Sequence, residues 1–340
     1  MRVVYFGSGA FGLPTLERLC RDHEVVAVVT QPDRPAGRGA KLTPTPVGEW
    51  AARRLGEGAV LKPARVNTPE MIELIRGFAA EAWVVIAFGQ KLPKVLLEGR
   101  FAVNLHASLL PRWRGAAPIN AALLAGDAVT GNTVITLADR MDAGLILGTS
   151  TRAVDPLVTA GELHDLLAAD GPELVERVLA GHAAGTLKGE VQDEGLVTIA
   201  TKLSKGDGTP DFNQPADFVR RQIQALTPWP GVTAELESGG AAGGAGGAGG
   251  AGGTGVQMIK LLRARVETGV VGVEGLRAGT VVDAMNGLVV CGRGTVLRVL
   301  EVQPAGKRGM DWASFARGRS IAPMSVLGPV TEMGSGGGVR

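Results

Sequence analysis

Asn104 and His106 sit two residues apart in Phe101-Ala102-Val103-Asn104-Leu105-His106, a run that is otherwise apolar. At the period of a strand, both side chains leave the same face, at the strand's C-terminal end. Burying an amide and an imidazole there costs free energy unless something bonds to them. Side by side they can donate to a developing oxyanion, and the imidazole can also carry a proton. That is equipment for acyl transfer; the plainer alternative is a polar pair that bridges strands and satisfies itself. An imidazole that handles a proton needs an acidic partner to hold its orientation. Asp142, followed by Ala143-Gly144 in the turn after the next strand, is well placed. Asp139 is its nearest rival, and strand periodicity does not decide between them. The other histidines, His23, His164 and His182, fall in a polar turn or on an amphipathic helix and read as surface or packing residues.

A second pattern, Gly7-x-Gly9-x-x-Gly12, follows the first strand with the spacing of a dinucleotide fingerprint. The acidic residue that should grip a ribose hydroxyl at the end of the second strand is missing, because that strand ends Thr30-Gln31-Pro32 with Asp33 beyond the proline. We therefore expect a tight strand-to-helix turn that serves the fold rather than an NAD grip. No Gly-x-Ser-x-Gly elbow and no phosphate loop occurs. Cys20 and Cys291 are far apart and have no Cys or His neighbours at ligand spacing, so no disulfide framework and no zinc site is expected.

The elements that must position these groups follow from hydrophobic period. Short β-branched runs at 3–6, 25–30, 83–87, 101–105 and 133–137 alternate with helical patterns at 11–20, 69–76 and 117–124. That alternation predicts an α/β, Rossmann-like, mostly parallel doubly wound sheet. A long helix over 160–184 closes a catalytic domain expected over 1–189, and a polar linker over 190–211 follows. Beyond it the grammar changes to one helix (215–226), the turn Pro228-Trp229-Pro230-Gly231 and short strands at 233–236, 257–264, 279–284, 287–290 and 295–302. Short strands with glycine turns predict a small OB-like β-barrel domain over 212–330. Within it, residues 239–255 comprise eleven Gly, five Ala and one Thr. A segment without bulky side chains cannot offset its ordering entropy, so it reads as a disordered insertion, and 331–340 as a flexible tail.

Charge adds little on its own. Thirty-five Lys and Arg against 33 Asp and Glu leave a net +2, too small for a global field toward nucleic acid. Residues 256–319 carry ten basic and five acidic residues, a modest local bias. With no signal-peptide pattern and no apolar run near the roughly 20 residues of a membrane span, a cytoplasmic protein away from membranes is expected.

Directly after His106 runs Ala107-Ser108-Leu109-Leu110-Pro111-Arg112-Trp113-Arg114-Gly115. Together with Asn104, this stretch resembles the folate-dependent formyltransferases. Gln31-Pro32-Asp33-Arg34-Pro35-Ala36-Gly37-Arg38-Gly39 is similar to the inserted loop of the tRNA-acting members, the methionyl-tRNA formyltransferase family. Lys202-Leu203-Ser204-Lys205, Pro228-Trp229-Pro230 and Gln303-Pro304-Ala305-Gly306-Lys307 extend the likeness into the second domain. The resemblance implies formyl transfer from 10-formyltetrahydrofolate to methionyl initiator tRNA, with no metal and in a monomer. It implies catalytic roles for Asn104, His106 and Asp142. Folate contacts fall on Ser108, Leu109, Leu110 and Pro111, and Phe88 and Gly89 are added here as the other wall of an apolar pterin slot. Arg34, Arg38 and Lys41, in one flexible loop, would meet tRNA phosphates. Two rivals remain: a formyltransferase acting on glycinamide ribonucleotide, which should lack that loop and the second domain, and a nicotinamide oxidoreductase using the Gly7 turn.

Overall fold

The fold is that of a computed structural model, which describes residues 1–36, 39–237, 256–319 and 321–330. Arg38, the glycine-rich stretch 239–255 and the tail 331–340 lie outside them. The chain divides into two compact units: Met1–Ile119 with Ala128–Val154 and Glu162–Thr201, and Asn120–Asp127 with Asp155–Gly161 and Lys202–Arg340. Residues 190–201, expected to begin a linker, thus belong to the first unit. Among the described residues no helix is long and apolar enough to cross a membrane.

In chain order the first elements are β1 (Arg2–Gly7), α1 (Leu13–Asp22), β2 (Glu24–Val29), β3 (Arg34–Ala36), β4 (Lys41–Thr43), α2 (Pro46–Leu55), β5 (Val60–Leu61), α3 (Pro69–Arg76) and β6 (Ala82–Ile86). Then come α4 (Lys94–Leu97), β7 (Phe101–His106), β8 (Arg114–Gly115), α5 (Pro118–Ala125), β9 (Val129–Thr136), β10 (Ile146–Ala153), α6 (Ala160–Ala183) and β11 (Ile199–Ala200). The main sheet has the order β10-β9-β7-β6-β1-β2-β5. β7, β6, β1, β2 and β5 run parallel; β9 pairs antiparallel with β7 at one side, and β10 pairs antiparallel with β9 at the edge. β6 reads Ala-Trp-Val-Val-Ile and is buried at every position, as a parallel strand covered on both faces must be. From β1 the chain builds outward to β2 and β5, then returns to place β6 on the other side. This puts the topological switch point between β1 and β6, where such sheets leave a crevice beyond the strand ends.

The glycine turn after β1 is explained by packing. The Tyr5 hydroxyl donates to the Gly12 carbonyl at 3.0 Å, and a Cβ on Gly12 would lie 1.9 Å from that hydroxyl. A Cβ on Gly7 would meet the same ring at 2.5 Å. Ser8, between the glycines, donates to the Phe88 carbonyl and accepts from the Gln31 backbone N–H, both at 3.1 Å. The turn therefore ties three strand ends together. Asp33 is ion-paired with Lys62 at 2.9 Å.

Several elements went unanticipated. α2 starts Thr45-Pro46, with the Thr45 hydroxyl accepting from Gly48 N–H, the same hydroxyl-then-proline start that marks α3 at Thr68-Pro69. The 31–41 loop is not a simple loop: Arg34–Ala36 pairs antiparallel with Lys41–Thr43 in a hairpin.

The second unit contains α7 (Ala216–Leu226), β12 (Val232–Glu237), β13 (Val256–Glu267), β14 (Val281–Asp283), β15 (Leu288–Val290), β16 (Val296–Pro304), β17 (Met310–Asp311), α8 (Trp312–Arg319) and β18 (Val326–Pro329). Its antiparallel sheet has the order β14-β15-β16-β13-β12-β18. The edges meet at a Thr280–Val326 bridge, with Val281 N–H bonded to the Ser325 carbonyl and Leu327 N–H to the Gly279 carbonyl, each at 2.8 Å. The sheet thereby curls into a small barrel with no exposed pair of edges. Alternating Val232, Ala234 and Leu236 point inward, and α7 presents Val219, Ile223 and Leu226 at helical spacing to the same core.

Candidate active site

β7 ends beyond the sheet's carboxyl edge, with Asn104 level with Val85 of β6 and His106 level with Thr133 of β9. His106 is 7% exposed. Its Nε2 lies 2.8 Å from the Trp113 carbonyl oxygen. A carbonyl can only accept, so Nε2 carries the hydrogen and the tautomer is set. On the other side of the ring, Nδ1 lies 3.6 Å from Asp142 Oδ2. That oxygen also accepts the Gly115 backbone N–H at 2.9 Å. The structure brings Asp142, and not Asp139, to the imidazole. Asp139 lies 60% exposed against Lys94 at 2.6 Å, and the ammonium beside it holds its carboxyl below the usual range.

Asn104 is half-buried, and among the described residues its carboxamide makes no hydrogen bond. A polar group left accessible on the same face as His106 is available to a ligand.

The Ser108–Pro111 segment is a shaped turn. Ser108 is fully buried and its hydroxyl donates to the Arg112 carbonyl at 2.7 Å. Thr133 Oγ1 donates to the Ser108 carbonyl and accepts from Leu110 N–H. Phe88 is also buried, its ring against Phe6 with centroids 5.6 Å apart, and its carbonyl accepts from Ser8 and Gln31. Ser108 and Phe88 thus spend their side chains inside the protein, while Gly89 is exposed and Leu109 and Pro111 are half-buried. A cavity of about 940 Å³ is lined by Leu92, Leu97, Leu137, Ala138, Lys91 and Asp139 among others, but by none of the residues named for folate.

Two parts of this arrangement were not foreseen from the sequence: the Trp113 carbonyl, and the residues that support it and Asp142. Trp113 supplies its carbonyl from a left-handed backbone, φ +63°, and Asp142 projects its carboxylate from another, φ +53°. For residues other than glycine each such conformation costs about 1–2 kcal/mol and needs outside support. That support comes from residues 192–198. Gln192, buried, donates to the carbonyls of Asp142 at 2.8 Å and Gly144 at 2.7 Å. Thr198 Oγ1 accepts the Trp113 N–H at 2.9 Å, and the Thr198 carbonyl accepts the Arg114 N–H at 2.9 Å. Ile199–Ala200 pairs in parallel with Arg114–Gly115. Arg114, also buried, bonds Gln192 Oε1 through Nε and Glu194 through Nη2. The Arg114 and Arg140 guanidiniums together hold the Glu194 carboxyl below its usual range. Gly144 is required here, since a Cβ would lie 1.7 Å from the Thr136 carbonyl oxygen. Arg112 and Arg114 both put a charge in this turn, and only the burial of Arg114 marks it as the one that needs acidic company.

Arg34 and Lys41 are exposed on the β3–β4 hairpin, where Arg34 also reaches Gln31 at 3.2 Å. Among the described residues no cluster of His, Cys, Asp or Glu could hold a metal ion.

Known proteins resemble this chain over most of its length. Residues 1–179 match the formyl transferase family and 202–320 the formyl transferase C-terminal domain. A methionyl-tRNA formyltransferase of Methylococcus capsulatus is 40% identical over 327 residues, covering 95% of this chain and 98% of that protein. Another from Trichlorobacter lovleyi is 39% identical over 96% of this chain and 97% of its own length. Among solved structures, a sugar 3N-formyl transferase, WlaRD, shares the fold with a TM-score of 0.61 at 13% identity over 91% of this chain and 99% of its own. HypX of Aquifex aeolicus, solved with tetrahydrofolic acid, does so with a TM-score of 0.57 at 15% identity; the match covers 93% of this chain, which spans 47% of that larger protein. The family matches across both units define a formyl transferase. The chain belongs to the methionyl-tRNA formyltransferase family.

Proposed function

We infer that this protein transfers the formyl group of 10-formyltetrahydrofolate to the α-amino group of methionyl initiator tRNA, and that Asn104, His106 and Asp142 do the chemistry. The observation that carries the assignment of roles is the bracketing of His106, with a carbonyl on Nε2 and a carboxylate on Nδ1, beside the unengaged carboxamide of Asn104. The amine attacks the formyl carbon, a new C–N bond forms and the carbonyl oxygen becomes an oxyanion. Asn104 donates to that oxyanion. With Nε2–H committed to Trp113, the lone pair of a neutral ring is on Nδ1, so the proton released by the amine is taken up across the Nδ1–Asp142 gap. The same proton goes to N10 as the C–N10 bond breaks, leaving tetrahydrofolate and formylmethionyl-tRNA. No net charge is left behind.

The donor is proposed to lie against Gly89, Leu109, Leu110 and Pro111, with Phe88 and Ser108 shaping that surface from within. Arg34, Arg38 and Lys41 are proposed to meet phosphates of the acceptor arm, where each cation released from the nucleic acid on binding adds affinity. Nothing in this chemistry needs a second copy of the chain, and we propose a monomer acting in the compartment of translation, the cytoplasm. The test is incubation with methionyl initiator tRNA and 10-formyltetrahydrofolate, followed by detection of formylmethionine. Formylation of glycinamide ribonucleotide in preference to the tRNA would overturn the assignment.

A further inference from the structure

We propose that Gln192 and Thr198 are positioning residues for the formyl transfer, acting as a strap that clamps the two partners of His106. The inference rests on the reading of His106 and Asp142 as the reacting pair. It starts from a coincidence in the backbone. The two groups that face the imidazole nitrogens, the Trp113 carbonyl and the Asp142 carboxylate, belong to two of the few non-glycine residues with positive φ. They lie 29 positions apart in the chain, so local sequence cannot coordinate them. One short stretch bonds both. Thr198 Oγ1 takes the Trp113 N–H at 2.9 Å, and Gln192 Nε2 gives to the Asp142 carbonyl at 2.8 Å.

The strap is itself tensioned. Gln192 Oε1 accepts from Arg114 Nε at 2.9 Å, so the carboxamide cannot flip without losing three bonds: Asp142 and Gly144 on its nitrogen and Arg114 on its oxygen. Arg114 is anchored in turn by Glu194, two residues further along the strap. Every donor and acceptor of Gln192 that the structure shows is therefore directed at the backbone around His106 or at the residue after Trp113. Neither Gln192 nor Thr198 bonds the imidazole, Asn104 or Asp142's carboxylate. Their effect can only be on where those groups stand. Loss of the Thr198 hydroxyl frees the Trp113 peptide to relax toward ordinary φ, carrying its carbonyl away from Nε2. Loss of Gln192 frees the Asp142 backbone, and the carboxylate with it. Either movement changes the orientation of the ring rather than the affinity for either substrate.

The experiment compares Thr198→Val, Thr198→Ser and Gln192→Met, each first checked for an unchanged circular dichroism spectrum. Thr198→Val should lower kcat about tenfold or more while leaving KM for both substrates within about twofold, because sub-ångström misplacement of a reacting group acts on the transition state. Thr198→Ser, which keeps the hydroxyl, should restore most of kcat. The Nε2–H resonance of His106, followed by selective ¹⁵N-histidine labelling, should move in Thr198→Val and return in Thr198→Ser. In a His106→Ala background, Thr198→Val should have no further effect, since its action runs through the ring. Unchanged kcat in Thr198→Val, or an equal loss in Thr198→Ser, overturns the strap. If Gln192→Met does not fold, the two Thr198 variants decide alone. His106→Ala and Asp142→Asn run in parallel: should these cost less than about threefold, it is the catalytic assignment that fails and not the strap alone.

Discussion

Residues 101–115 and 190–201 meet at one corner of the first unit and divide its work. The former sends side chains into the site: Asn104, His106 and the turn over Leu109–Pro111. The latter sends none there; its Gln192 and Thr198 side chains bond the backbone of the site's other residues. One carries β7, inside a seven-stranded sheet, and the other makes a single bridge at Glu190, one 3-10 turn at Glu194–Leu196 and the two-residue β11. The rigidity of the first comes from the sheet, and the rigidity of the second from bonds to the first. A reactive group placed on a strand end still needs its neighbours fixed to within fractions of an ångström. On the proposed assignment, which also draws Asp142 from a third length of chain, the difference teaches that carrying the chemistry and holding it in place are separable tasks.

The division predicts a graded set of losses. The largest should come from His106→Ala and Asp142→Asn, each lowering kcat about 10³-fold or more in single-turnover formylation. Their double variant should be scarcely worse than either single one, and full additivity would show that the two groups work separately. Asn104→Ala should follow, lowering kcat about 10² to 10³-fold with little change in folate binding, the loss usual for one oxyanion donor. A drop below threefold would remove Asn104 from the mechanism and break the assignment of chemistry to 101–115.

Arg38→Ala gives a contrast of a different kind, since it should act on binding and not on the chemical step. Productive tRNA binding should weaken by roughly 1–3 kcal/mol, and its salt dependence should flatten by about one unit of log slope. Unaltered kinetics across a salt series would sink the role of this region in tRNA recognition.

The smallest effect belongs to the outer end of the strap. Glu194 has a carboxyl held down by Arg114 first and Arg140 second. A carboxyl depressed in the folded state adds stability above its unfolded value, about 4.3, and loses it as pH falls through the folded one. Urea midpoints should therefore be flat from pH 6 to 8 and fall on acidification, slightly less so in Glu194→Gln. Because Glu194 is half-exposed and screened by solvent, the difference between the two curves should be small. Identical curves would show that this ion pair adds nothing to the strap.

Much of the first region was legible as sequence. Asn104 and His106 declared themselves by polar type at period two in an apolar strand. The rival carboxylates were not separable, because Asp139 and Asp142 share one turn and only the φ of Asp142 aims its side chain inward. The hairpin of 34–43 looked like a loop because its strands are three residues long and hold no apolar alternation. β10 was missed for a similar reason: an edge strand with one exposed face carries few apolar residues.

Sequence by itself determined what is local: which residue types can do acyl-transfer chemistry, the period that puts two of them on one face, the alternation that makes a parallel sheet and the glycine-turned strands that make a barrel. Tertiary structure alone decided which carboxylate serves His106, which ring nitrogen carries its hydrogen, and that an unremarkable polar stretch eighty residues downstream holds both partners. Period and composition are properties of neighbours in the chain, whereas a left-handed backbone is affordable only where distant groups bond it in place. Nothing in Gln192 or Thr198 as residue types marks them, because their meaning lies wholly in which carbonyl and which N–H the fold brings to them.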